Sequence, residues 1–176
     1  MNLKNKKITV IGLGLSGTSS AILANYLGAI VFVSDSGTNE LIHKNALKLM
    51  SLHHIPSETG IHTEKIYNAD LWIISPGISK NSNLVKKAKH KNIKTISEIE
   101  FASIYNSNPI IAVTGSNGKT TTCNMLYSML NGSEIKPVLS GNLGIPFSET
   151  VLRYLKEPSK DIFYILDVSS FQLEKI

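Results

Sequence analysis

A single cysteine, a single tryptophan and 7% aromatic residues in 176 leave no disulfide scaffold and little material for a stacking surface. Cys123 has no partner for an internal bridge, and its spacing to Leu126 and Leu130 puts it on the apolar face of a helix, so it is expected in the core. The longest apolar runs are strand-sized, well short of the roughly 20 residues that a membrane helix needs. The lysines near the N-terminus lead into a glycine-interrupted strand without a signal-peptide cleavage pattern. A cytoplasmic, monomeric protein with no membrane contact is expected. The five histidines show no metal-ligand spacing, and His53 and His54 would point apart on a helix, so none is assigned a role. The net charge of +5 suits anionic ligands. However, Lys86, Lys87, Lys89 and Lys91 share one helix with Leu84, Val85 and Ala88 and have no aromatics between them. That pattern is a solvated helix face rather than a nucleic-acid surface.

What the chain does have is 42% hydrophobic residues, enough for a packed core, and apolar strands that repeatedly break into glycines. The strand over 7–11 runs into Gly-Leu-Gly-Leu-Ser-Gly at 12–17, after which Ile22, Leu23, Tyr26 and Leu27 recur at helical spacing. Gly12 serves the tight turn, Gly14 the backbone approach to a pyrophosphate and Gly17 close helix packing, as in a dinucleotide fingerprint. Asp35 falls at the end of a second strand over 30–33, where a ribose-binding acid or a turn cap would stand. Taken alone this stretch points to NAD.

A helix is predicted over 41–52, with Ile42, Ala46, Leu49 and Met50 on one face and a break over 56–59. A buried strand over 71–74 ends in Ser75-Pro76-Gly77, a fixed backbone corner or a plain turn. The lysine-rich helix and a short strand over 94–96 follow. Ser97 and Glu100 match a capping box opening a helix to about Tyr105. A domain boundary is placed near residue 97.

The second half centres on 110–122, a β-branched run that opens into Thr-Gly-Ser-Asn-Gly-Lys-Thr at 114–120 and a helix over 120–130. A glycine turn feeding a helix leaves backbone N–H groups aimed at one point with the helix dipole behind them. Lys119 adds a charge for terminal phosphates, and Thr120 stands where a P-loop places its magnesium ligand. Val113 occupies the position of the first Walker glycine, so the motif is the shorter T-G-x-x-G-K-T. A strand over 137–139 leads to Gly-Asn-Leu-Gly at 141–144, where Asn142 offers an amide to a ligand or simply a left-handed loop residue. The apolar run over 162–166 is a strand buried on both faces, with Asp167 at its carboxyl end. Ligands bind at the carboxyl ends of strands in open α/β sheets. Two sets of such ends imply two nucleotide-type sites facing each other.

These motifs together, with Ser-Ser-Phe-Gln-Leu-Glu at 169–174, resemble those of the Mur ligases of peptidoglycan assembly, over the whole chain. The resemblance implies a Rossmann-like UDP-binding domain at 1–97, followed by the N-terminal part of a P-loop α/β ATP-binding domain at 98–176. It implies that Gly14, Leu15 and Ser16 meet the phosphates of a UDP-linked substrate, and Asp35 and Ser36 its uridine. Ser75, Pro76, Gly77, Asn142, Ser169 and Gln172 would line the rest. Gly115, Ser116, Asn117, Gly118, Lys119, Thr120 and Thr121 would hold ATP, with Lys119 on the γ-phosphate and Thr120 and Asp167 on Mg2+. The family usually has Glu at the position of Asp167. The activity implied is ATP-dependent ligation of D-glutamate to UDP-N-acetylmuramoyl-L-alanine through an acyl phosphate. Family members continue through further central-domain residues and a third domain, so a fragment inactive by itself is expected. An NAD-dependent oxidoreductase would not need 114–120. A folylpolyglutamate synthase-like ligase would share the phosphate loop but not Ser169-Ser-Phe-Gln. A binding-only remnant is the non-enzyme alternative.

Overall fold

The computed structural model describes residues 1–79, 81–142 and 144–169. Five parallel strands, β1 (Lys7–Ile11), β2 (Ile30–Asp35), β3 (Ser57–Thr59), β4 (Leu71–Ile74) and β5 (Lys94–Ser97), form one sheet in the order β3-β2-β1-β4-β5. Helices α1 (Leu15–Tyr26), α2 (Glu40–His53) and α3 (Asn83–His90) connect them, with a short 3-10 turn at Glu64–Tyr67 before β4. A second parallel sheet, β6 (Ile110–Val113), β7 (Lys136–Gly141) and β8 (Ile162–Asp167), has the order β6-β8-β7. Its crossovers are α5 (Lys119–Leu130) and α6 (Phe147–Lys156), and α4 (Glu98–Ser103) lies between the two sheets in sequence. The protein is therefore α/β with parallel sheets. Among the described residues no helix is long and apolar enough to cross a membrane.

Strands buried on both faces read as unbroken apolar runs, which explains why β1, β4 and β8 are legible. All four residues of β4 are buried. Trp72 in its middle is fully covered and donates its indole N–H to the Ile66 carbonyl at 2.8 Å. With ~200 Å² at ~25 cal/mol per Å², that ring contributes up to about 5 kcal/mol. Cys123 is fully buried, as its helical spacing predicts, and Leu126 and Leu130 are half-buried beside it. The α2 stripe differs from the expected one. Ile42 and Leu49 are buried, but Met50 is 50% exposed and Asn45 takes the inward position. Met50 is eight residues from Ile42, at the edge of a stripe whose centre runs through 42, 45, 46 and 49. The helical pattern ends as expected, α2 stopping at His53, and Ser57–Thr59 beyond it adds a short edge strand to β2.

The two sheets share one core. Phe147 and Val151 of α6 and Tyr164 of β8 lie in the same cluster as Leu23 of α1 and Phe101 of α4. A polar seam runs through this junction. Glu98, 3% exposed, accepts the Ser148 N–H at 2.6 Å, and the Ser148 hydroxyl lies 3.4 Å from that of Ser20. Ser20 in turn donates to the Ser16 carbonyl at 2.8 Å. Burial raises the Glu98 pKa, only partly offset by the Ser148 hydrogen bonds. A carboxyl whose folded pKa lies above its unfolded value binds more protons when folded, so its contribution falls as pH rises through that window. Glu98→Gln keeps an acceptor for Ser148 and removes the charge. It is expected to raise the melting temperature at pH 7 and to change it little at pH 4, as measured by thermal circular dichroism.

Candidate functional site

Parallel pairing puts every strand end of the first sheet on one rim. Ile11 is in register with Ser34 and with Ile74, and Ile74 with Ser97. The strand order reverses direction between β1 and β4, so the loops at 12–17 and 75–78 flank the crevice where such sheets bind ligands. The glycines there divide by role. A Cβ on Gly17 would stand 1.9 Å from the Gly12 carbonyl oxygen, and one on Gly12 would stand 2.3 Å from the Ser75 hydroxyl. Both are required by packing. A Cβ on Gly14 would meet nothing within 4 Å, so its backbone faces open space.

The loop is held from both sides. Leu13 N–H donates to Asp35 Oδ2 at 2.6 Å, and the Leu13 carbonyl accepts from the buried Asn45 amide at 2.7 Å. Asp35 Oδ1 accepts the Gly37 N–H at 2.7 Å, which shapes the following turn. Asp35 therefore ties two loops together, and Ser36 beside it is exposed. Ser75 donates its N–H to the Ile11 carbonyl at 3.0 Å, and its hydroxyl oxygen is buried without a hydrogen-bond partner among the described residues. Pro76 is half-buried and Gly77 exposed on the same corner. Asn45 was invisible to motif reading. The signal that could have found it is a lone amide inside the apolar stripe of α2.

In the second sheet Val113, Gly141 and Asp167 are side by side at the strand ends, with Asp167 central. The Asp167 carbonyl accepts the Asn142 N–H at 2.9 Å, and a Cβ on Gly141 would stand 2.4 Å from that oxygen. Asp167 is 5% exposed, and its Oδ1 has no hydrogen-bond partner among the described residues. The Cys123 thiol on α5 is pushed up by burial and then by the Asp167 charge. Thr120, three residues before Cys123 on α5, is on the same helical face and exposed. Gly115 and Gly118 have φ of 149° and 78°, which a side chain rarely adopts, and no atom within 3.4 Å of an added Cβ. Ser116, Asn117 and Thr121 are exposed around them. Lys119 curls back and donates to the Gly115 carbonyl at 2.6 Å, which holds its ammonium inside the loop. Ser169 is half-buried just beyond β8. Gln172 lies outside the described residues.

The helix starts separate these loops from the rest. Asn39, Ser82 and Ser97 cap α2, α3 and α4 with side-chain oxygens. In α6 the Ser148 N–H is satisfied by Glu98, and Glu149 adds an acid to its first turn. Helices α1 and α5 begin at Gly14 and Gly118 with no side-chain cap and no acid in the first turn. Uncapped helix starts of this kind present N–H groups and a positive dipole end that favour anions.

Two parallel sheets whose glycine loops open uncapped helices define an α/β protein of the doubly wound kind, a fold whose ligands bind at the strand ends. Residues 7–84 match the family model of the MurD N-terminal domain. The chain is 40% identical over 172 residues to UDP-N-acetylmuramoylalanine--D-glutamate ligase of Bacteroides thetaiotaomicron, covering 97% of this chain and 37% of that protein. It is 36% identical over 176 residues to the ligase of the same name from Thermoanaerobacter sp., covering 100% of this chain and 38% of the relative. The resemblance to the Mur ligases read from the motifs is thereby shown. The chain spans well under half the length of these relatives. Among solved structures, UDP-N-acetylmuramate:L-alanyl-gamma-D-glutamyl-meso-diaminopimelate ligase from Neisseria meningitides shares the fold. Its TM-score is 0.56 at 20% identity, over 95% of this chain and 55% of that one.

Proposed function

We propose that this chain supplies the UDP-substrate site and the ATP-phosphate loop of a ligase. That enzyme would join D-glutamate to UDP-N-acetylmuramoyl-L-alanine in cytoplasmic peptidoglycan precursor synthesis. The observation that carries the reading is that α1 and α5 alone among the described α-helices have neither a side-chain cap, an acid in the first turn, nor a carboxylate on their first N–H groups. Residues 1–97 form the UDP-binding unit in this reading, and 98–176 belong to the ATP-binding unit. Gly14, Leu15 and Ser16 offer N–H groups to the pyrophosphate, Asp35 and Ser36 meet the uridine, and Ser75, Pro76, Gly77, Asn142, Ser169 and Gln172 line the muramoyl portion.

The residues of the loop at 114–121 fit ATP: an open glycine cradle, an uncapped helix and a lysine already held inside the loop. They also fit Mg2+. Asp167 presents a buried oxygen without a partner, and no three His, Cys, Asp or Glu side chains cluster among the described residues. One carboxylate and the Thr120 hydroxyl, completed by phosphate oxygens and water, are what magnesium takes from a protein. When bound, the ion would neutralise phosphate charge. The chain's own part is electrostatic and positional. The N–H groups of 115–121 and the Lys119 ammonium would stabilise charge spreading over the γ-phosphoryl oxygens as the L-alanine carboxylate takes up the phosphoryl group. The D-glutamate amine would then displace phosphate from that acyl phosphate.

Calorimetry on the 176-residue chain tests the reading. UDP-N-acetylmuramoyl-L-alanine is expected to bind saturably and NAD not at all. Saturable NAD binding with no response to the UDP substrate would remove it.

A further inference from the structure

Ser34, Glu58 and His62 form a hydrogen-bonded cluster that none of the roles above uses. Ser34 is fully buried at the end of β2, and its Oγ lies 2.7 Å from Glu58 Oε1 and 2.7 Å from His62 Nδ1. Glu58 also accepts the Thr63 N–H at 2.9 Å and the Thr63 hydroxyl at 2.6 Å. Burial raises the Glu58 pKa, but the hydrogen bonds from Thr63 and Ser34 work against it, and the carboxyl lies below its ordinary value. An ionised carboxylate only accepts, so the one hydroxyl hydrogen of Ser34 goes to Glu58. The Ser34 oxygen then has only lone pairs to offer, and His62 Nδ1 must carry a hydrogen. In the neutral imidazole Nε2 is therefore an acceptor, and it has no partner among the described residues. Ser34 itself is no nucleophile, being buried with its hydrogen already on a carboxylate.

The cluster stands beside the loop that the proposed uridine site uses. Ser34 pairs with Glu58 and Asp35 with Thr59 across β2 and β3, and the Gly60 N–H donates to the Gly37 carbonyl at 3.1 Å. His62 is half-buried on this rim. We propose that His62 selects the base of the bound nucleotide: its Nε2 lone pair accepts an imide N–H such as N3–H of uracil and rejects cytosine, whose N3 is itself an acceptor. The inference rests on reading the first unit as a uridine-nucleotide site.

UDP and CDP titrated calorimetrically into the 176-residue chain test it. Two facing acceptors leave both unsatisfied, so UDP is expected to bind about 10-fold more tightly than CDP or better. His62→Ala should bring the two together by weakening UDP, whereas His62→Gln, whose amide presents either an oxygen or an N–H, should bind UDP and admit CDP. Nitrogen-15 NMR of the free chain should show the imidazole with its hydrogen on Nδ1, a reading that needs no variant to fold. An unchanged UDP-over-CDP ratio in folded His62→Ala, or a hydrogen on Nε2, overturns the role of His62 and leaves the uridine site standing. Binding of neither nucleotide by the wild-type chain removes the uridine site instead, and the inference with it.

Discussion

Lys119→Ala is expected to lower the affinity of the chain for MgATP by about 100-fold, equivalent to about 2.7 kcal/mol, and to leave UDP-substrate affinity within about 2-fold, since sites without shared partners act independently. The ammonium donates to the Gly115 carbonyl at 2.6 Å, and a γ-phosphate within its reach would offer a charged acceptor, which makes the stronger hydrogen bond. ADP, which lacks that phosphate, should lose much less. The measurement is titration of a fluorescent ATP analogue into wild type and variant, with ADP competition. Near-normal ATP affinity in the variant would show that the loop at 114–120 is an ordinary helix start.

Asp167→Asn is expected to separate stability from binding. A carboxylate with an unsatisfied oxygen is costlier to bury than the neutral amide of the same shape, and Asp167 is 5% exposed with no partner for Oδ1 among the described residues. Removing the charge should stabilise the chain by about 1–3 kcal/mol, at about 2–4 °C per kcal/mol for a protein of this size. The same change should abolish the enhancement of ATP binding by Mg2+. Thermal melts with and without MgATP read both effects. A variant that melts lower, and whose ATP binding still responds fully to Mg2+, would mean that Asp167 serves the fold and not a metal.

The strands and their glycine exits were legible because both depend on local chemistry. A strand buried on two faces must be apolar throughout, and a backbone that turns at once into a helix must spend glycines. The capping serine at 97 was legible for the same reason, and its hydroxyl accepts the Glu100 N–H at 3.1 Å. What escaped is long-range. Helix α6 received no assignment, although Phe147, Val151 and Leu152 form a buried face, because no side-chain cap announces it and Pro146 reads as a breaker. The seam through Ser20, Glu98 and Ser148 joins residues up to 128 apart in sequence, and no local pattern marks it. Asn45 and His62 were missed because each acts through residues distant in sequence: Asn45 on the Leu13 carbonyl, 32 positions away, and His62 on Ser34, 28 away. A lone histidine among five without metal spacing gives no sign that its tautomer is fixed.

The two glycine loops were proposed from spacing alone, and the packing now separates their glycines by purpose. Gly12 and Gly17 are needed for the fold, while Gly14 and Gly118 leave open space against the backbone and Gly115 is needed for its positive φ. Such open backbone at an uncapped helix start is where an anion fits at least cost. A crystal structure of the chain with UDP-N-acetylmuramoyl-L-alanine bound tests this most directly. The expected result places the pyrophosphate on the N–H groups of 14–16, the uracil at the rim of 35–37 beside His62, and the muramoyl portion toward Asn142. A pyrophosphate bound away from the start of α1, or a ligand seated elsewhere on the chain, would contradict it.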